Sequence, residues 1–408
     1  MVNRLLTGIL FMLCVLPESV AQYKYYIPTD YNGIFYGQPT STRATAMGLT
    51  TITQGGVENV VYNPASLGVI QKRIELYYSY AKGNQVRIGS SNRFEGLAYR
   101  INDKIVAGFS RMRYVEKNSP WTTIIGWYED SQEKRTQAMY TLSGSYSPYE
   151  NLQVGASGNW LIGKSVTDVT TNKVFIISVG SIYDMETDWI RHEQLSNQRI
   201  RFALSFVNLL MKNRIEERYQ DYLHYRDMPI HLTLGSSYNG TLPFDYSFLK
   251  GFTDFFNDMP ETVDLSFHVQ FRETLRGPKK TVVNGNYESN TSIGLGAEAL
   301  FMDFFAFRLG YFYETRPDQG PAEGGGYWMT DDKRGLTLGY GFKVPVCELT
   351  KQKVPVNADI DFVTFRVLNE LGTTTTVPAI FSKNNFLFSF GVKLTWVNKP
   401  TADLLSTP

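Results

Sequence analysis

Cysteine is almost missing from this 408-residue chain: only Cys14 and Cys347 occur. Cys14 falls in a stretch that reads as a secretory signal peptide over residues 1–21, with Arg4 in a short basic start, an apolar run from Leu5 to Leu16, and Ser19-Val20-Ala21 as a cleavage site. Leu13 stands before Cys14 where a lipoprotein signal needs a small residue, so the leader reads as simply removed. An exported chain starting at Gln22 would keep Cys347 alone and could form no internal disulfide. Long apolar runs are also missing beyond Leu16, which excludes a membrane-spanning helix and leaves a closed β-barrel as the only form that could cross a bilayer. Histidine is scarce, at four residues, and shows no H-E-x-x-H spacing; no G-x-S-x-G occurs either. Neither a metal, a cofactor nor an enzymatic activity is expected. Ser266 and His268 share a strand face, but their backbones stand about 7 Å apart, and they read as wall lining rather than as a nucleophile and its base. Excess charge of one sign is lacking too: the net charge is +1, which argues against nucleic acid as a partner.

What the chain has in quantity is Tyr and Phe, 26 of each, and 34 Gly, a composition suited to aromatic girdles around a barrel. Alternation supplies the stronger signal. Val263, Leu265, Phe267, Val269 and Phe271 fall on one face of a strand, with Thr262, Asp264, Ser266, His268, Gln270 and Arg272 on the other. Ile293, Leu295, Ala297 and Ala299 repeat this against Ser292, Gly294, Gly296 and Glu298, before a tight turn at Met302-Asp303. Segments near 305–313 and 336–343 follow suit, with weaker versions at 73–82, 93–101, 104–114, 135–147, 152–165, 173–183, 199–210 and 228–238. With 356–366 and 386–396 the count is about fourteen, the even number that a bacterial barrel requires.

Connection lengths sort as they should for an outer-membrane protein. Asn102-Asp103, 148–151 and Met302-Asp303 read as short periplasmic turns, and the polar stretches 115–134, 211–227, 273–290, 315–333 and 367–385 as outer connections. The exceptions on the short side are 184–198 and 239–260, the latter with a small helix expected at Phe248 to Phe256. Within the last strand, "SFGVKLTW" resembles the C-terminal pattern read by the barrel assembly machinery, except that residues 397–408 follow as a periplasmic tail. The chain therefore divides into a leader, an N-terminal segment 22–70, an all-β transmembrane antiparallel barrel over 71–396, and the tail.

The N-terminal segment contains "RATAMG" and, shortly after, "NVVYNPASLG", just before the first strand. It resembles the N-terminal region of the FadL-type family of outer-membrane barrels, among them the PorV- and PorQ-like proteins of type IX secretion. The matching positions are Arg43, Ala44, Ala46, Met47 and Gly48, then Asn63, Pro64 and Ala65. The resemblance implies a hatch folded inside the barrel; small residues suit close approach to a wall, and Asn63-Pro64 suits a fixed turn.

Polar-face charges in the last strands, Glu298, Arg308, Lys343, Asp359, Asp361 and Lys393, read as an ion-pair network that lines the interior and holds the hatch. Two functional readings stand. One is uptake of hydrophobic small molecules through a plugged channel, for which the family resemblance implies a lateral opening at a kink in the third strand. That strand does lose its phase, since Ile105, Ala107 and Phe109 are followed on the same side by Arg111 and Arg113. A bulge near Gly108, or arginines snorkelling at the outer interface, would each explain it. The other reading is a PorV-like barrel that binds and delivers secreted proteins through long outer loops carrying Trp121, Trp127 and Trp328. Membrane lipid is a partner in both.

Overall fold

The structure is a computed structural model that describes residues 40–82, 90–117, 134–164, 171–190, 192, 194–209, 214–219, 222–227, 230–246, 259–276, 291–314, 333–350, 354–367 and 386–396. The leader, residues 22–39, the tail, the expected helix at 248–256 and the three loop tryptophans lie outside the described residues.

Strands are numbered in chain order: β1 (Ile74–Lys82), β2 (Ser90–Arg100), β3 (Ile105–Lys117), β4 (Lys134–Tyr149), β5 (Leu152–Lys164), β6 (Thr171–Glu186) and β7 (Ser196–Val207) come first. A hairpin of β8 (Arg214–Tyr219) and β9 (Tyr222–Asp227) follows. Then come β10 (Ile230–Pro243), β11 (Thr262–Arg276), β12 (Thr291–Phe301), β13 (Phe305–Glu314), β14 (Lys333–Val344), β15 (Val356–Val367) and β16 (Phe386–Trp396). Fourteen of them close antiparallel into one barrel, with β1 paired to β16; β8 and β9 pair only with each other. The segment 211–227 is therefore more than the polar connection its composition suggested. It has no one-sided alternation because a hairpin outside the barrel wall has no lipid to face.

Closure satisfies every strand edge, which is what allows backbone to cross hydrocarbon. No described helix is long and apolar enough to span a membrane. Apolar side chains cover the outside instead: Leu142, Val269, Leu309 and Leu338 are 57%, 51%, 45% and 42% exposed, while their inward neighbours Thr141, Gln270, Arg308 and Thr337 are buried. An apolar outer band on a closed antiparallel barrel is the architecture of the bacterial outer membrane.

The turns carry their own chemistry. Met302 and Asp303 both take positive φ, 57° and 50°, and Phe304 N donates to Phe301 O, closing a three-residue turn between the paired Phe301 and Phe305. At the β2–β3 turn, Asn102 Oδ1 accepts from Lys104 N and Ile105 N. The β3 ladders run unbroken past Gly108, from Arg100↔Val106 to Ser90↔Glu116 on one side and from Ile105↔Tyr146 to Lys117↔Lys134 on the other. The pairing shows no bulge at Gly108. Its missing side chain serves close approach instead, because a Cβ there would come within 3.0 Å of Leu67 and Ser143.

Candidate functional site

Residues 40–70 run inside the barrel as an inner segment of short helical turns. The helix α1 (Thr42–Ala46) is capped by Ser41, whose Oγ accepts from Ala44 N, and ends where Gly48 adopts φ 67°. A 3-10 turn at Val57–Asn59 and another at Pro64–Val69 follow. Asn63 caps the latter, its Oδ1 accepting from Ala65 N at 3.1 Å with Pro64 in the first turn, where a missing N–H costs nothing. The Asn63 Nδ2 donates to Ile52 O at 3.0 Å and to Ser181 O at 3.3 Å, so the same side chain ties the turn to the wall.

The wall receives this segment through glycines. Gly294, Gly296, Gly310 and Gly339 sit on the inner faces of β12 to β14, and a Cβ on any of them would collide with Ala46, Met47 or Gly48. Gly155 and Gly180 do the same for Pro64-Ala65 and Asn63. Close approach then lets short side chains reach backbone. Thr337 Oγ1 donates to Ala46 O at 2.8 Å and accepts from Gly48 N at 3.1 Å. Gln270 Oε1 accepts from Thr51 N at 2.7 Å and Ile52 N at 3.1 Å, and its Nε2 donates to Leu49 O at 3.1 Å.

Charge fixes both ends of the seat. Arg43 donates to both carboxylate oxygens of Glu298, at 3.0 and 2.5 Å; Arg308 donates to Glu298 at 2.5 Å and to Asp361 at 2.8 Å. To reach Asp361 on β15, Arg308 passes over β14 at Gly341, where any side chain would block it. Two guanidinium groups and two carboxylates balance each other, which is what a network needs when Glu298, Arg308 and Asp361 are buried and Arg43 half-buried. Lys393 meets Glu58 of the inner segment at 2.7 Å and Glu75 of β1 at 3.8 Å, and Glu75 also accepts from Val57 N. Burial pushes the Glu58 carboxyl up, to about 7, with Lys393 pulling it down and Glu75 adding to the rise.

Of the six charged positions marked in the sequence, Glu298, Arg308 and Asp361 meet in one cluster, and Lys393 belongs to a second. Lys343 is at the periplasmic rim, pairing with Asp303 at 2.6 Å, and Asp359 stands opposite both Lys343 and Lys393 in register. Sequence reasoning missed Glu58, Glu75, Gln270 and the Arg201–Asp184 pair, from which Arg201 also donates to Thr53 O at 2.8 Å. Glu75 was findable, being an inward position in the alternation of "IELYYSY". Ser266 and His268 do touch, with His268 Nε2 3.3 Å from Ser266 Oγ, because the side chains lean together along the strand. The other ring nitrogen faces the Thr53 hydroxyl at 2.9 Å rather than a carboxylate, so the pair anchors the inner segment.

The opposite wall differs in kind. Phe94, Met112, Tyr114, Met139, Leu161 and Ile176, on the extracellular halves of β2 to β6, point inward and form one apolar cluster with Val57, Val60, Val61 and Leu67 of the inner segment. The phase loss in β3 is thus an inversion: Met112 and Tyr114 face the lumen while Arg111 and Arg113 face out. Between the inner segment and β11 to β13, a cavity of about 30 Å³ remains, beside an Arg272–Glu314 pair at 3.4 Å. That space admits about one water.

No protein-family profile matches the chain, and no curated protein matches it in sequence. Among solved structures, the chain is similar to a FadL homologue of Pseudomonas aeruginosa, at 13% identity and a TM-score of 0.47, with 91% of this chain and 99% of that one covered. It is also similar to the toluene transporter TodX of Pseudomonas putida, at 9% identity, a TM-score of 0.44, and 87% and 97% coverage. The monoaromatic hydrocarbon channel CymD is similar at 9% identity and a TM-score of 0.45, with 88% and 98% covered.

Proposed function

We propose that this protein is an outer-membrane channel for uptake of hydrophobic small molecules, with residues 40–70 as the hatch that closes it. One observation carries the reading: on the extracellular half of β2 to β6 the inner wall carries a cluster of large apolar side chains, set among the polar Asn92, Gln137 and Asn159, and this cluster meets apolar residues of the inner segment. A water-filled pore has a polar lumen. Phe94, Met112, Met139 and Ile176 are buried against the hatch and one another, and a shift of the hatch would uncover in them a surface that replaces an apolar solute's lost water contacts, at about 25 cal/mol per Å² buried. Withdrawal of the hatch from the glycine seat would also open the way down.

Apolar-probe fluorescence on the purified protein tests this. Met139→Asp puts a charge on the apolar wall, away from the glycine seat, and should weaken binding of an uncharged aromatic probe by about tenfold. Heat-modifiable migration should show an intact barrel. Unchanged probe affinity in a folded Met139→Asp protein would remove the basis of the proposal.

A further inference from the structure

Inverting the β2–β3 pattern leaves charge on the outside. Arg93 and Glu95 on β2, and Arg111 and Arg113 on β3, alternate with the buried Phe94, Met112 and Tyr114, and so project from the outer face of the barrel. Three arginines against one glutamate give this patch a charge of +2. Register aligns Arg93 directly with Arg113 and Glu95 with Arg111. Like charges placed opposite each other on one sheet face repel, unless an anion lies between them. Only the Glu95–Arg111 pair is compensated, loosely, at 3.9 Å; neither Arg93 nor Arg113 has an ion pair among the described residues. The Arg111 Nε is buried and has no hydrogen-bond acceptor.

The height of the patch is informative. Arg111 and Arg113 stand at the same distances from their periplasmic turn as Tyr311 and Tyr313 on β13, about 20 Å and about 27 Å along the strand from Ile105 and Phe305. They occupy the level of the outer aromatic girdle, where headgroups meet acyl chains. Arg93 lies over the Tyr78 ring at 6.0 Å and Arg111 over Tyr140 at 5.7 Å, which holds both guanidinium groups against the wall. Below them, Leu97, Phe109 and Leu142 are exposed. A ligand matching this surface carries an anion above an apolar body.

We propose that Arg93, Arg111 and Arg113 form a binding site for the phosphorylated headgroup of an outer-leaflet lipid, whose acyl chains lie on Leu97, Phe109 and Leu142. Phosphate suits paired guanidinium forks, which donate to it in bidentate fashion. The site is external to the lumen and independent of the uptake reading.

Native mass spectrometry of the full chain released from detergent tests it, with diphosphoryl lipid A as the probe and its dephosphorylated form as the comparison. The wild-type protein should hold the phosphorylated form at least tenfold more tightly. Arg93→Gln with Arg113→Gln should lose roughly tenfold or more of that affinity, as expected for lost charge-assisted contacts. Arg73→Gln removes a charge at the periplasmic rim, where Arg73 stacks on Tyr99, and should change nothing. Should the double variant fail to fold, Arg93→Lys with Arg113→Lys keeps the charge but not the fork, and should bind at an intermediate level. Equal binding of the two lipid forms, or equal binding by wild type and the variants, overturns the proposal. Displacement of the lipid by millimolar inorganic phosphate would also overturn it, by showing a site for the free ion.

Discussion

Replacing Gly296 by alanine isolates the contact between hatch and wall. A Cβ at this position would lie 2.5 Å from Met47 Cβ and 2.5 Å from Met47 O, and its closest neighbours are all atoms of Met47. Ordinary carbon contacts lie near 3.5–4.0 Å, so the inner segment must retreat by about 1 Å. Thr337 Oγ1 now donates to Ala46 O at 2.8 Å and accepts from Gly48 N at 3.1 Å. A retreat of that size stretches both bonds beyond useful length. Two lost hydrogen bonds at about 1 kcal/mol each, with about 1–3 kcal/mol of overpacking, weaken the seat by about 3–5 kcal/mol. The unseated population should rise by about a hundredfold or more. The β12 ladder itself is untouched, since alanine keeps every backbone bond. Single-channel recording should show frequent openings in Gly296→Ala that the parent lacks, with normal heat-modifiable migration. Gly144→Ala is the control: it faces outward, a Cβ there meets nothing within 4 Å, and it should behave as the parent. A folded Gly296→Ala barrel as quiet as Gly144→Ala would refute the steric argument.

Val269 and Gln270 are sequence neighbours on opposite sides of the wall, and their substitutions should separate cleanly. Val269→Arg faces lipid and should lower barrel stability by about 2–4 kcal/mol near mid-membrane, read from urea unfolding in vesicles; a neutral result would contradict the assigned face. Gln270→Ala should leave unfolding unchanged within about 1 kcal/mol of the hydrogen bonds lost, yet raise protease or thiol accessibility of residues 49–52. Seating should also depend on pH through Glu58. Its carboxyl is raised to about 7 in place, against an unseated value near 4.5, so the seat is strongest below the lower value and weakens as pH rises through the upper one. Channel openings should therefore be more frequent at pH 8 than at pH 5, and Glu58→Gln should flatten the difference; a parent protein indifferent to pH would rule this out.

The strands were legible because lipid lies on one side of nearly all of them, and a face that must be apolar imposes period two on the sequence. All fourteen appear within a few residues of where alternation put them. The hairpin β8–β9 escaped notice for the same reason, having no lipid side. Inward charges on β12 to β16 could be named, but not their partners: Arg43 and Glu58 sit on a segment without periodicity, and only folding brings them to Glu298 and Lys393. Lys343 alternates inward like Arg308, yet at the end of its strand it meets water and Asp303. The broken phase of β3 was visible in the letters, whereas its cause was not. A bulge and an inversion of the wall leave the same trace in one strand, and only the unbroken ladders to β2 and β4 tell them apart.

The most direct test of the account compares permeation of two solutes of equal size, one an apolar aromatic and one a sugar, into proteoliposomes. Two proteins are needed: the full-length chain and a version lacking residues 43–66. The intact protein should pass the aromatic and exclude the sugar, because the apolar side chains that the hatch covers on β2 to β6 favour only the former as the hatch gives way. The shortened barrel, its strands and closure intact, should admit both. An intact protein that passes neither, or both alike, would contradict the claim that this barrel is a hatch-closed path for hydrophobic molecules.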